Sequence, residues 1–193
     1  MTRPRGRPLA TDRDAIAVTA FRLFRERGFD ATTMDDVARA AGIGRSTLFR
    51  YFPSKGAILW MRQDETTAEF VAAMRRQPLD RPPAVAVFDA YTEMASTRSA
   101  DNAFAKEILH VIVTTPAGST GKWDAFDAWA HHIAAFVAER RGGRPDDQDN
   151  ASIGLMIWAA LWTALEHWAL SDEPNPDAHL ALGAGLLLEG SGR

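Results

Sequence analysis

Residues 33 to 53 run Thr33-Met34-Asp35-Asp36-Val37-Ala38-Arg39-Ala40-Ala41-Gly42-Ile43-Gly44-Arg45-Ser46-Thr47-Leu48-Phe49-Arg50-Tyr51-Phe52-Pro53, and this stretch decides the fold. Thr33 stands three residues before Asp36, the spacing of a capping box, ahead of Met34, Val37, Ala38 and Ala41 at helical period. Gly42 ends that short helix, and Ile43 and Gly44 form a turn. A second short helix runs from about Arg45 to Phe52, where Pro53 disfavours a helical conformation in the residue before it. Leu48 and Phe52 give that helix a core-facing side. Arg45, Ser46, Phe49 and Arg50 lie on the outer side, with Thr47 and Tyr51 flanking. Two short helices joined by a glycine turn, the second rich in Arg, Ser and Thr, have the layout of a helix-turn-helix whose second helix enters the major groove of DNA.

The same period continues on both sides. Upstream, Thr11 or Asp12 caps a helix carrying Ile16, Ala20, Phe21, Leu23 and Phe24, which Gly28 stops. Downstream, Ser54 caps a longer helix through about Gln77, bearing Ile58, Leu59, Met61, Phe70 and Val71, and Pro78 closes it. Helical spacing recurs over 83–96, 102–115, 121–141, 146–170 and 176–189, with boundaries of breaker composition at Gln77-Pro78, Thr115-Pro116-Ala117-Gly118, Gly142-Gly143-Arg144-Pro145 and Glu173-Pro174-Asn175-Pro176. No strand pattern is evident. The expectation is an all-α chain with a small helix-turn-helix domain at 1–55, preceded by a basic arm, and a larger helical domain at 56–193.

Charge divides along the same line. Residues 1–62 carry twelve Arg or Lys against six acids, whereas residues 63–193 carry ten against nineteen, so the net charge of -3 averages a basic end and an acidic body. That layout suits a protein whose N-terminal end alone meets a polyanion. Arg3, Arg5 and Arg7 form either an arm that follows the DNA backbone or a groove, or a solubilising tail. The absence of cysteine excludes disulfides, thiol chemistry and thiolate metal sites. The N-terminus lacks the apolar segment of a secretory signal, and no run of about 20 uncharged apolar residues occurs, which places the chain in the cytoplasm and off the membrane.

From Ala15 to Leu59 the sequence resembles the DNA-binding domain of TetR-family regulators. The matching words are Ala20-Phe21-Arg22-Leu23-Phe24, Arg27-Gly28-Phe29, Ala31 to Ala38, Ala40 to Phe52 and Pro53-Ser54-Lys55. The resemblance implies that Thr33, Thr47, Tyr51 and Lys55 contact phosphates and that Arg45 and Ser46 approach base edges. Arginine bonds guanine O6 and N7 in bidentate fashion, so Arg45 is the candidate for direct readout. Two positions depart from the family pattern. Gly44 replaces a serine cap and Phe49 a tyrosine, which exchanges a phosphate contact for an apolar contact to a thymine methyl.

The resemblance also implies that the C-terminal body binds an effector and dimerises through its last two helices. Ile153 to Leu170 is apolar on more than one face, and Leu180 to Leu188 repeats this beside Ala181, Gly183, Ala184 and Gly185. These segments form either a four-helix interface between two copies or an intramolecular core. The candidate pocket for an apolar or aromatic ligand comprises Trp60, Phe88, Tyr91, Met94, Phe104, Ile108, Val111, Ile112, Phe126, Trp129, Ile133, Trp158 and Trp162. The histidines do not suggest a metal site, because His131 and His132 diverge by about 100° on a helix. With no phosphate-binding loop and no nucleophile elbow, neither an enzyme nor a bound cofactor is expected.

These readings converge on a sequence-specific DNA-binding regulator, a repressor that acts as a homodimer on an inverted-repeat operator and answers to a small molecule. One variant follows from Gly44 to Lys55 with Trp60 beyond, which is similar to actinobacterial members associated with mycofactocin gene clusters and implies an acyl-CoA effector. The other is a ligand-sequestering protein whose DNA domain is vestigial.

Overall fold

The computed structural model describes residues 13–97, 102–115 and 122–191, and among them every regular element is helical. The helices are α1 (Arg13–Arg27), α2 (Met34–Ala40), α3 (Arg45–Tyr51), α4 (Lys55–Leu59), α5 (Gln63–Arg76), α6 (Pro83–Thr97), α7 (Asn102–Thr114), α8 (Lys122–Arg141), α9 (Gln148–Leu170) and α10 (Asp177–Ser191). The chain divides into two compact units, Met1–Trp60 and Met61–Arg193. The expected cap at Thr11 or Asp12 and the arm of Arg3, Arg5 and Arg7 lie outside the described residues.

The first unit closes on Ile16, Phe21, Phe24, Val37, Leu48, Phe52 and Ile58, all buried, with Phe24 set edge-on to both Phe21 and Phe29. The α1–α2 connection is held from inside: Thr32 is fully buried and its hydroxyl donates to the Gly28 carbonyl at 2.8 Å. At the α2–α3 turn, Gly42 adopts φ +68°. Its N–H donates to Arg39 O at 3.2 Å while that of Ile43 reaches back to Ala38 O at 3.0 Å. This pair of bonds satisfies the last carbonyls of α2 and requires a left-handed residue at position 42. The turn therefore follows from a single glycine.

The continuous helix expected from Ser54 to Gln77 is corrected to two helices, α4 and α5, separated by a turn at Trp60, Met61 and Arg62. Trp60 and Arg62 both rotate to ψ near 12°, off the helical value. Ile58 and Leu59 are buried in the first unit, and Phe70, Ala73 and Met74 in the second. Two separate cores impose no common helical register across the junction. Ser54 still caps α4, its Oγ accepting from Ala57 N at 3.1 Å.

In the second unit α8 and α9 lie in intimate contact. A Cβ built on Gly154 of α9 would stand 2.7 Å from Ala134 N and 2.8 Å from Ala130 O, both backbone atoms of α8. Gly183 of α10 likewise leaves room for the Phe88 ring of α6. Lys106 of α7 donates to Ser171 O at 2.7 Å and Glu173 O at 2.6 Å, placing a cation at the C-terminus of α9, where the helix dipole favours it. By length and composition alone α9 suits a membrane span, but half of its apolar stretch is buried within the fold and its longest uncharged run, 150–165, has 16 residues. Its other side is open: Leu155, Met156 and Leu170 are exposed, as are Leu182, Leu186 and Leu188 on α10.

Candidate functional site

The capping box read at the start of α2 is complete. Thr33 Oγ1 accepts from Asp36 N at 3.1 Å, and Thr33 N donates to Asp36 Oδ2 at 3.0 Å. The Thr33 hydroxyl also donates to Asp36 Oδ2, at 2.6 Å. Both donors of Thr33 are therefore committed to Asp36, and its side chain acts as a cap. These bonds, with Arg39 alongside, hold the Asp36 carboxyl below its ordinary range. Gly44 stands at the N-cap of α3 and contributes no side-chain bond.

On α3 the expected division of faces is realised. Leu48 and Phe52 are fully buried, Ser46, Phe49, Arg45 and Arg50 are exposed, and Thr47 and Tyr51 are half-buried. Arg50 lies over the Tyr51 ring at 5.6 Å, and Arg13 of α1 covers Phe52 at 5.3 Å. Arg45 lies over the Phe49 ring at 5.4 Å, and its Nε stands 3.3 Å from Asp35 Oδ1. The sequence reading missed this Asp35 partner, because the pair lies ten positions apart on successive helices and no helical spacing signals it. Lys55 has a structural role too: its Nζ donates to Phe29 O at 2.7 Å and Asp30 O at 3.4 Å, over the face of Phe29. An ammonium has three protons, so one remains for a phosphate.

The second unit gathers much of the expected pocket set. Phe88, Met94, Ile112, Trp129, Ile133, Trp158 and Trp162 are buried, and Tyr91, Phe104, Ile108, Val111 and Phe126 are half-buried. Trp60 falls in the first unit instead. The aromatic rings form a chain across four helices: Tyr91 on α6 meets Phe70 on α5 edge-on at 5.8 Å, and Phe70 stacks on Trp129 of α8 at 4.8 Å. Trp129 lies 4.9 Å from Trp158 of α9, which also touches Phe126 at 5.6 Å and Trp162 at 5.9 Å. Phe70 was not among the expected residues, since periodicity along one helix does not reveal which partner a ring meets on another. The indole Nε1 of Trp158 is buried with no hydrogen-bond partner, unlike that of Trp168, which donates to Glu173 O at 3.1 Å. Among the described residues of this unit no charged residue is buried as a whole, although Arg140 Nε is buried without a partner, and Asn150, the one buried polar residue, is tied to Gly142 O and Arg144 O at 3.0 Å each. His131 lies 3.7 Å from Asp146 across the α8–α9 connection, and no group of three or more metal-ligating side chains occurs among the described residues.

Comparison with known proteins places both units. Residues 16–59 match the family model of bacterial regulatory proteins of the tetR family, and residues 81–191 match the MftR C-terminal domain. A Mycobacterium tuberculosis protein, named as the mycofactocin biosynthesis transcriptional regulator MftR, is 33% identical over 97% of this chain and 93% of its own length. The chain belongs to the TetR family of transcriptional regulators. This TetR-family chain is also 33% identical to the regulator EthR of Mycolicibacterium smegmatis, over 74% of this chain and 70% of that one. Among solved structures, Thermus thermophilus FadR, a TetR-family repressor crystallised with lauroyl-CoA, superposes with a TM-score of 0.61 at 25% identity, covering 93% of this chain and 94% of its own. The all-helical fold and the N-terminal helix-turn-helix expected from the sequence are thus those of the family, which is one of regulators rather than enzymes.

Proposed function

We propose that this TetR-family protein is a cytoplasmic repressor in which residues 1–55 read an inverted-repeat operator while residues 56–193 pair two copies and bind an acyl thioester that releases the DNA. The effector half rests on one observation, the buried Trp158 Nε1 that has no acceptor. An unmet buried donor costs about 1–3 kcal/mol, which a carbonyl oxygen recovers on binding. The surrounding rings of Phe126, Trp129 and Trp162 accept an apolar chain and nothing charged. The MftR-type C-terminal domain, and the lauroyl-CoA held by the Thermus relative, favour an acyl-CoA over other apolar ligands.

The DNA half is supported by the basic excess of residues 1–62 and by the exposed outer face of α3, where Arg45 and Ser46 meet base edges, Phe49 a thymine methyl, and Thr47, Arg50, Tyr51 and Lys55 phosphates. Thr33 serves this face by holding α2 in place. A second copy, rather than lipid, covers the open leucines of α9 and α10 and sets two α3 helices one DNA turn, about 34 Å, apart. Effector binding then acts by favouring a different spacing.

The test is footprinting on the DNA upstream of the protein's own gene, with lauroyl-CoA and free CoA added in turn. Lauroyl-CoA is expected to release the DNA and CoA to leave it bound. Trp158→Phe, which keeps a ring but loses the donor, should raise the lauroyl-CoA needed about tenfold, equivalent to about 1.4 kcal/mol. A footprint insensitive to acyl-CoAs of every chain length would remove the effector half of this reading, and no footprint would remove the DNA half.

A further inference from the structure

The start of α2 is unusual for a surface that meets a polyanion. Asp35 and Asp36 both occupy its first turn, and the donors of Thr33 are committed to Asp36. Asp36 and Arg39 are paired at 3.0 Å on their own helix. Asp35 alone reaches across the turn: its Oδ2 accepts from Arg45 Nη1 at 3.4 Å, beside the Nε contact already described. Among the described residues no other group bonds to that guanidinium, which lies over the Phe49 ring with the Asp35 carboxylate beside its Nε and Nη1. Both charges are largely exposed, so the pair adds little to stability. Its effect on binding is of another kind. A free arginine at the first turn of a recognition helix takes a phosphate or a base with similar ease. A carboxylate at its flank repels phosphate and leaves Nη2 and the unbonded guanidinium protons for a neutral acceptor pair such as guanine O6 and N7.

We infer that Asp35 is a specificity-determining positioning residue: by holding Arg45 over Phe49 it steers the guanidinium to a base edge and away from the DNA backbone. The inference rests on the reading of α3 as the base-contacting helix. The pair Arg45 and Phe49 then reads one guanine with a neighbouring thymine methyl in each half-site.

Selection from a random duplex library with the full-length protein tests it, followed by titration of the enriched duplex and an unrelated duplex over a range of salt. Asp35→Asn is expected to cut the preference at one base pair per half-site by about tenfold, to tighten binding to the unrelated duplex, and to steepen the salt dependence by about one ion as Arg45 turns to phosphate. Asp35→Glu, which keeps the carboxylate, should restore the preference. Unchanged selection and salt slope in Asp35→Asn, loss of all DNA binding in that variant, or an Asp35→Glu protein that behaves like Asp35→Asn would each overturn the inference. A wild-type protein that enriches no sequence would overturn the base-contacting role of α3 itself, and this inference with it.

Discussion

Lys55, proposed above to meet a phosphate, is also a structural side chain. Its ammonium draws the α1–α2 connection onto the start of α4 through Phe29 O and Asp30 O, leaving one proton toward the outside. Lys55→Met keeps the stem and removes the charge. The expected loss is about 1–2 kcal/mol of stability in the first unit, the magnitude of charge-assisted hydrogen bonds at a half-buried site, visible as a lowered thermal midpoint without DNA. The salt dependence of DNA binding should flatten by about one ion in the same variant. An unaltered midpoint would mean that the two carbonyls do not hold the ammonium in solution. Such double roles are poorly legible in a sequence. The capping pair Thr33 and Asp36 is local, and its spacing alone announces it. Lys55 with Phe29, and Asp35 with Arg45, are made by folding, from residues 26 and ten positions apart.

Among the elements, the α8–α9 pair is the most tightly constrained. Gly154→Ala places a methyl within 3 Å of three backbone atoms of α8, none of which can rotate away as a side chain would. The helices must separate, at a cost of about 1–3 kcal/mol. Urea unfolding of the variant should show a lowered midpoint with an unchanged slope. The same helix α8 carries a pH dependence. Burial, followed by the charges of His131 and Arg75, lowers the pKa of His132 from its ordinary 6.5. As pH falls below 6.5 the unfolded chain therefore takes up this proton first, so the folded state loses stability on acidification until the pH passes the lower folded value. His132→Gln should reduce the loss between pH 7 and 5 in the same unfolding measurement. The helices themselves were legible, because Pro and Gly punctuate nearly every boundary. Two boundaries contain neither breaker: that between Thr97 and Asn102, which the periodicity still marks, and the turn at Trp60 to Arg62, which it does not, because that turn lies where one core gives way to another.

At the scale of the whole molecule the open leucines carry the argument. Leu182 and Leu186 are 63% and 60% exposed on α10, a sidedness that suits an isologous contact between identical surfaces. Replacing both with Glu is expected to convert a dimer to a monomer in sedimentation equilibrium, and to weaken binding to a two-half-site duplex far more than to a single half-site. A double variant that still sediments as a dimer would show that another surface holds the copies together. Composition marks the α9 and α10 segments as apolar, yet does not separate a face turned to the core from an open one, since both are rich in leucine. The missing side chain at Gly154 has a mechanical consequence. Where backbone meets backbone there is no soft layer of rotamers to absorb a push. Under the proposed mechanism, a guest that displaces Trp129 on α8 would move α9 with it as one stiff slab and tilt the leucine face, carrying a chemical event among rings to that surface as rigid displacement rather than dissipating it in side-chain rearrangement.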